Sequence, residues 1–248
     1  MYNFFVRENS KIDNLYYISG DDYNHIINVL RMDIGDRFLV SSDGKSDLCE
    51  IEAYDNESVK AIVIEENIQN TELPVKIYLF QGLPKNEKME FVIQKTVELG
   101  VDTIIPVEMN RCVVKLDDKK KKSKINRWQA IAESAAKQSK RNIIPKINDV
   151  LRYADAVKMA NELDLFIVPF ENKDGMEATK SALNKLSSVK SVGILIGPEG
   201  GFDKEEIEFA IKSGGIAISL GKRILRTETA AIASVAMCML NIELENKD

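Results

Sequence analysis

Two stretches decide how this chain is read: Gly193-Ile-Leu-Ile-Gly-Pro-Glu-Gly-Gly-Phe-Asp203 and Ile218-Ser-Leu-Gly-Lys-Arg-Ile-Leu-Arg-Thr-Glu-Thr-Ala230. In the first, an apolar β-rich run ends in glycines around Pro198 and Glu199. Asp203 then stands where it can cap a helix, with Glu206 three residues on to complete a capping box. Glycines at such a turn let a ligand approach the backbone, because no Cβ intervenes. In the second, a strand ends at Leu220, a loop carries Lys222, Arg223 and Arg226, and Thr227 can cap the last helix. Three cations ahead of a helix N-terminus favour an anionic group. Neither stretch has GxGxxG or GxxxxGKS/T spacing, so the dinucleotide and P-loop readings fail. Each alone is equally a tight turn or a solvated basic loop. Together, at the carboxyl ends of consecutive strands, they face one crevice, where open α/β sheets bind ligands.

Outward from these loops the chain alternates strand and helix. Residues 75–81, 103–107, 165–168, 192–196 and 216–220 are short apolar runs suited to buried parallel strands. Residues 89–99 read as a helix stopped by Gly100. Ile125, Trp128, Ile131, Ala132 and Ala135 fall at the spacing of an amphipathic helix, and 227–244 form a helix apolar nearly all round. That order predicts an α/β sheet with helices on both faces. The first 70 residues differ: short alternating runs at 38–40, 48–54 and 59–64, a turn at Ser42-Asp43-Gly44, and one helical patch whose face joins His25, Ile26, Val29 and Leu30. This predicts a small β-barrel. The polar, Pro-ended joint at 70–74 places the boundary between domains 1–72 and 73–248.

The chain has 248 residues and a net charge of −5, with 44% hydrophobic and 29% charged side chains, which excludes disordered and disulfide-scaffold classes. The charge is unevenly spread. Residues 111–146 carry 12 basic and 3 acidic side chains, whereas 1–70 carry 6 and 14. Cys49, Cys112 and Cys238 form no CxxC pair, so no metal is expected and buried reduced thiols are. His25 is the one histidine, expected at a surface or cap. The N-terminus lacks the pattern of a signal peptide, and the apolar run 230–240 is shorter than the roughly 20 residues that span a bilayer. These features predict a soluble, cytoplasmic protein with no membrane partner.

The sequence resembles the RsmE family of 16S rRNA uridine-N3 methyltransferases, part of the SPOUT superfamily of S-adenosylmethionine-dependent enzymes. GPEGGF at 197–202 and LGKRILRTETA at 220–230 carry the resemblance. QKTVELG at 94–100, NRCVVK at 110–115, Trp128 with AAKQSKR at 135–141, and HIINVLRM at 25–32 extend it along the chain. Cys112 stands where the family usually has serine, and Lys222 where it has proline. The resemblance implies an α/β fold with a SPOUT-type trefoil-knotted domain, preceded by a PUA-like, RNA-binding β-barrel. It implies that Ile196, Gly197, Pro198, Gly200, Gly201, Leu220, Gly221, Ile224, Leu225 and Ala230 hold S-adenosylmethionine. Arg226 is the first choice to stabilise negative charge on the uracil, while Glu199 or Glu228 either accepts the N3 proton or holds Arg226. With RNA as substrate, the basic stretch supplies phosphate contacts: Arg111, Lys115, Lys119, Lys120, Lys121, Lys122, Lys124, Arg127, Lys137, Lys140 and Arg141. The apolar last helix implies a homodimer interface. A non-enzymatic RNA-binding factor is one rival reading. A SPOUT enzyme acting on a ribose hydroxyl or on transfer RNA is another, although it should not match QKTVELG, NRCVVK and the barrel together.

Overall fold

The computed structural model describes residues 1–6, 10–42, 44–170 and 175–245. They divide into two compact units, Met1–Glu72 with Ala136–Ile144, and Leu73–Ala135 with the chain from Pro145 onward.

The first unit contains β1 (Asn3–Phe5), β2 (Lys11–Ile12), β3 (Leu15–Ser19), α1 (Gly20–Asn24), β4 (Arg37–Ser42), β5 (Lys45–Tyr54) and β6 (Ser58–Glu65). They pair in the order β1-β4-β5-β6-β3-β2, antiparallel except for β1 against β4. Alternation turns Val59, Ala61 and Val63 of β6 inward onto Phe4, Ile18, Phe38 and Ile51. Among the described residues no ladder joins β1 to β2, the strands at the two ends of this order, which are only three and two residues long. Asp43, at the turn expected between β4 and β5, lies outside the described residues.

The helical patch differs from expectation. His25–Val29 winds as a π-helix, with Leu30 N–H donating to His25 O at 2.9 Å. The wider turn changes which side chains share a face. Ile26, Ile27 and Leu30 pack on the core, while Val29 is 62% exposed. His25 is exposed, with its ring edge-on to Phe4.

Segment 136–144 is stitched into this unit by polar contacts. Arg141 is buried and paired with Glu72, whose Oε1 also accepts from Asn142 N–H at 2.8 Å. Asn142 Nδ2 donates to Gly44 O and Gln69 O, and Asn3 Nδ2 donates to Arg141 O. This corrects one expectation. Arg141 belongs to the interior, and a buried guanidinium committed to a carboxylate is not a phosphate contact.

The second unit is built from β7 (Lys76–Gly82), α2 (Lys88–Glu98), β8 (Thr103–Glu108), α3 (Asp118–Gln138, whose last turn counts with the first unit), β9 (Lys146–Ile147), β10 (Leu151–Arg152) and α4 (Tyr153–Asn161). β11 (Leu165–Pro169), α5 (Met176–Leu183), β12 (Ser191–Ile196), α6 (Lys204–Lys212), β13 (Ile216–Ile218) and α7 (Thr227–Glu245) follow. The sheet is parallel throughout, ordered β10-β8-β7-β12-β11-β13, with β9 beside β8. Its strands are almost wholly buried, as both faces carry helices. β13 stops at Ile218, two residues before the apolar run ends. Beyond it the Thr179 hydroxyl takes over the ladder, donating to Ser219 O at 2.7 Å and accepting from Ser219 N–H at 3.0 Å.

Helix α7 is 19 residues, long and apolar enough by length and composition to cross a membrane, and so longer than the 230–240 run suggests. Ala231, Ser234, Val235, Cys238 and Ile242 form its buried stripe, packed on α2, β7 and β12. Leu240 and Leu244 remain 54% and 80% exposed. All three cysteines are buried free thiols. Burial pushes Cys49 and Cys238 up to about 12, so they pack as small apolar groups.

Candidate active site

The loop after β12 is set by a helix cap. Asp203 Oδ1 accepts from Glu206 N–H at 2.9 Å, and Glu206 Oε2 accepts from Asp203 N–H at 3.0 Å, the capping box the sequence implied. Upstream, Gly201 closes a tight turn on Pro198 O at φ +66°, a conformation that favours glycine. β7 ends under the same loop. A Cβ on Gly82 would lie 2.7 Å from Pro198 N, so this close approach requires glycine.

The second loop is tied to the first through Thr227, the first residue of α7. Its buried hydroxyl donates to Gly197 O at 2.6 Å and accepts from Gln81 Nε2 at 2.9 Å. Arg111, just beyond β8, donates from Nη1 to Gly200 O at 3.0 Å. Residues from NRCVVK, GPEGGF and LGKRILRTETA thus converge at the carboxyl ends of neighbouring strands.

Between the loops lies a cavity of about 940 Å³. All ten residues expected to hold a cofactor line it, as do Glu199 and Arg226. Lys88, Phe170 and Met176 also line it, and the sequence carried no signal for them. Ile224 lies fully exposed on its rim. The volume suits a ligand of nucleoside size or larger. Glycine backbone and apolar side chains make up much of the lining, and Lys88, Arg111, Lys222, Arg223 and Arg226 supply its cations.

Lys88, at the start of α2, organises the acids. Its Nζ lies 3.2 Å from Glu199 Oε1 and 3.2 Å from Glu228 Oε2, so one ammonium bridges both carboxylates. Among the described residues neither acid pairs with Arg226. Burial works to raise the Glu199 carboxyl, but the Lys85 N–H at 3.0 Å and the Lys88 ammonium outweigh it and hold it below the usual carboxylate range. Burial likewise opposes the charge on Lys88, and its ion pairs with Glu228 and Glu199 more than restore it, raising its pKa.

The other basic candidates lie around α3. Lys115, Lys119, Lys120 and Lys122 are exposed. Lys121 pairs with Glu108, and Arg127 and Lys124 with Glu90. Lys137 pairs with Asp22, and Lys140 is exposed at the end of the stretch.

Comparison with known proteins follows this geometry closely. Residues 71–239 match the RNA methyltransferase domain family, and residues 18–64 the RNA methyltransferase PUA domain family. The Bacillus subtilis ribosomal RNA small subunit methyltransferase E is 39% identical over 237 residues, 94% of this chain and 93% of the relative. The chain belongs to the ribosomal RNA small subunit methyltransferase E family. Within that family, the Neisseria gonorrhoeae structure bound to S-adenosyl methionine superposes with a TM-score of 0.81 at 30% identity, covering 95% of this chain and 96% of that one. A Legionella pneumophila methyltransferase structure with bound SAM gives a TM-score of 0.82 at 31% identity, covering 96% of each chain. The N-terminal unit is thereby PUA-like, and the whole is a mixed α/β RNA methyltransferase.

Proposed function

We propose that this protein transfers a methyl group from S-adenosylmethionine to N3 of one uridine in 16S rRNA. The observation that carries the proposal is the single cavity built from GPEGGF and LGKRILRTETA, with Arg226, Lys88 and Glu199 at its wall, in a chain of the RsmE family. The residues fit the cofactor. Gly197, Pro198, Gly200, Gly201 and Gly221 offer close backbone approach, and Ile196, Leu220, Ile224, Leu225 and Ala230 offer apolar surface. Bound there, S-adenosylmethionine supplies an electrophilic methyl group on a positive sulfur.

The protein's part is to make N3 a nucleophile. The N3 proton must leave so that its electron pair can form the new N–C bond, and negative charge spreads onto the uracil oxygens. Arg226 opposes that charge from the rim. A carboxylate held below its ordinary pKa is a weak base, so Glu199 acts chiefly through position and charge.

The C-terminal segment is proposed to thread as a trefoil knot. In support, β12 inserts between β7 and β11, the chain leaves for the edge as β13, and Thr227 returns against Gly197. Domain 73–248 is the methyltransferase and 1–72 an RNA-binding module, with the basic residues of 111–140 meeting phosphates. A homodimer through α7 accounts for its exposed Leu240 and Leu244. A cytoplasmic location is in keeping with an rRNA substrate.

Arg226→Ala tests the assignment: turnover should fall about a hundredfold or more while calorimetry shows unchanged S-adenosylmethionine affinity. Near-normal turnover removes Arg226 from the chemistry.

A further inference from the structure

A second cavity, of about 470 Å³, opens where the end of β7, the start of α2 and helix α3 meet. Its apolar wall is Leu83, Pro84, Met89, Leu116 and Trp128, of which Leu83 and Met89 are 1% exposed and Trp128 4%. The Trp128 indole N–H is buried and finds no acceptor among the described residues. An unpaired buried donor is uncommon in a folded protein and calls for an explanation. The charged residues of the lining are Lys124 and Arg127 with Glu87 and Glu90, and both cations are drawn to Glu90. Arg127 reaches Glu90 through Nη2 alone at 2.7 Å, and its side chain is 58% exposed, leaving the rest of the guanidinium facing solvent. Lys120, Lys124 and Arg127 fall at i, i+4 and i+7, so they form one cationic stripe along α3 leading to the cavity.

Apolar walls, one unpaired donor and two cations that a phosphate can take over from Glu90 match the chemistry of a nucleotide in single-stranded RNA. The ring needs desolvated surface, its carbonyls need donors, and its phosphate needs positive charge. We propose that this cavity is a second nucleotide subsite, which takes an unpaired base flanking the methylated uridine and seats its phosphate on Lys124 and Arg127. Of the charge on the 111–146 stretch, these two residues read RNA at a built site, whereas Lys119 and Lys122 act as a diffuse field. The subsite rests on the RNA methyltransferase reading and deepens it, since it says which unpaired nucleotides hold the substrate in register. A duplex cannot enter, because its bases are stacked and paired.

The chain contains a single tryptophan, so Trp128 emission reports on this cavity alone. The probes are a single-stranded oligoribonucleotide with a central uridine, the same sequence as a duplex, and free uridine 5′-monophosphate. The single strand should change Trp128 emission saturably, the duplex should not, and the mononucleotide should do so only at far higher concentration. Lys124→Ala/Arg127→Ala should weaken binding of the single strand about tenfold or more and lower its salt slope by about 0.7, the value for one phosphate. Cofactor binding measured by calorimetry should be unchanged. If labelled RNA binds and is methylated while Trp128 stays silent, or if the double variant binds it as wild type does, the subsite is refuted and the parent reading stands. If the wild-type protein neither binds nor methylates RNA, the parent reading fails and the subsite with it.

Discussion

At Lys88 one ammonium holds two carboxylates, Glu199 of the first loop and Glu228 of the first turn of α7, within twice 3.2 Å of each other. Lys88→Met leaves like charges facing each other, which raises the pKa of one of them and pushes them apart. Cofactor affinity in that variant should fall about tenfold at neutral pH and recover as the pH drops and one acid is protonated, with Lys88→Arg close to wild type. Equal affinity in all three at every pH contradicts the positioning role. No local signal marks Lys88 in the sequence, because its partners lie in GPEGGF and LGKRILRTETA, far along the chain. Arg141 is the converse case. It reads as one more cation of a basic stretch, and only the fold brings Glu72 to it. Asp47 anchors the first unit in the same way, accepting from Tyr16 Oη at 2.8 Å, Lys11 Nζ at 3.0 Å and Asn67 N–H at 3.0 Å. Burial favours its neutral form, but these three bonds prevail and lower its pKa. A lowered carboxylate contributes stability that is present above its unfolded pKa of about 3.9 and is lost as pH falls through the folded value. Asp47→Ala should therefore cost about 2–4 kcal/mol at neutral pH and flatten the acid limb of the stability curve, as urea unfolding would show.

Among the elements, those with strong periodicity were legible: β7, β8, β11, β12 and the helices α2, α3 and α7 lie within a residue or so of the apolar runs that announce them, except where α3 begins among its lysines. Short pieces were not. β1 and β2 are too short for alternation to register, and the π-helix at His25–Val29 breaks the 3.6-residue rule that assigned its face. The two ligand loops were legible because glycine, proline and cap residues act locally. Helix α7 poses the question of what covers it. A buried stripe accounts for Ala231, Val235 and Cys238, and the proposed homodimer would cover the exposed Leu240 and Leu244. Sedimentation at micromolar concentration should give a dimer of the 27.9 kDa chain, and Leu240→Asp/Leu244→Asp a monomer of unchanged helix content. A wild-type monomer would contradict this.

For the whole molecule, the net charge of −5 conceals the distribution that matters. The acidic N-terminal segment and the basic stretch at 111–146 cancel in the sum, yet much of that basic stretch is presented on α3 beside the cavities. Lys121, Lys137 and Arg141 are paired with Glu108, Asp22 and Glu72, Lys120 with Asp117, and Lys124 and Arg127 share Glu90. The proposed RNA contacts therefore fall to exposed Lys115, Lys119, Lys122 and Lys140 and to the Lys124–Arg127 pair. The central claim, a base methyltransferase for small-subunit rRNA, is tested most directly by mass mapping of 16S rRNA after incubation of substrate from a strain lacking the protein with the purified protein and isotope-labelled S-adenosylmethionine. The account predicts one labelled methyl group, on N3 of a single uridine. A label on a ribose hydroxyl, on another base, or nowhere in 16S rRNA would contradict it.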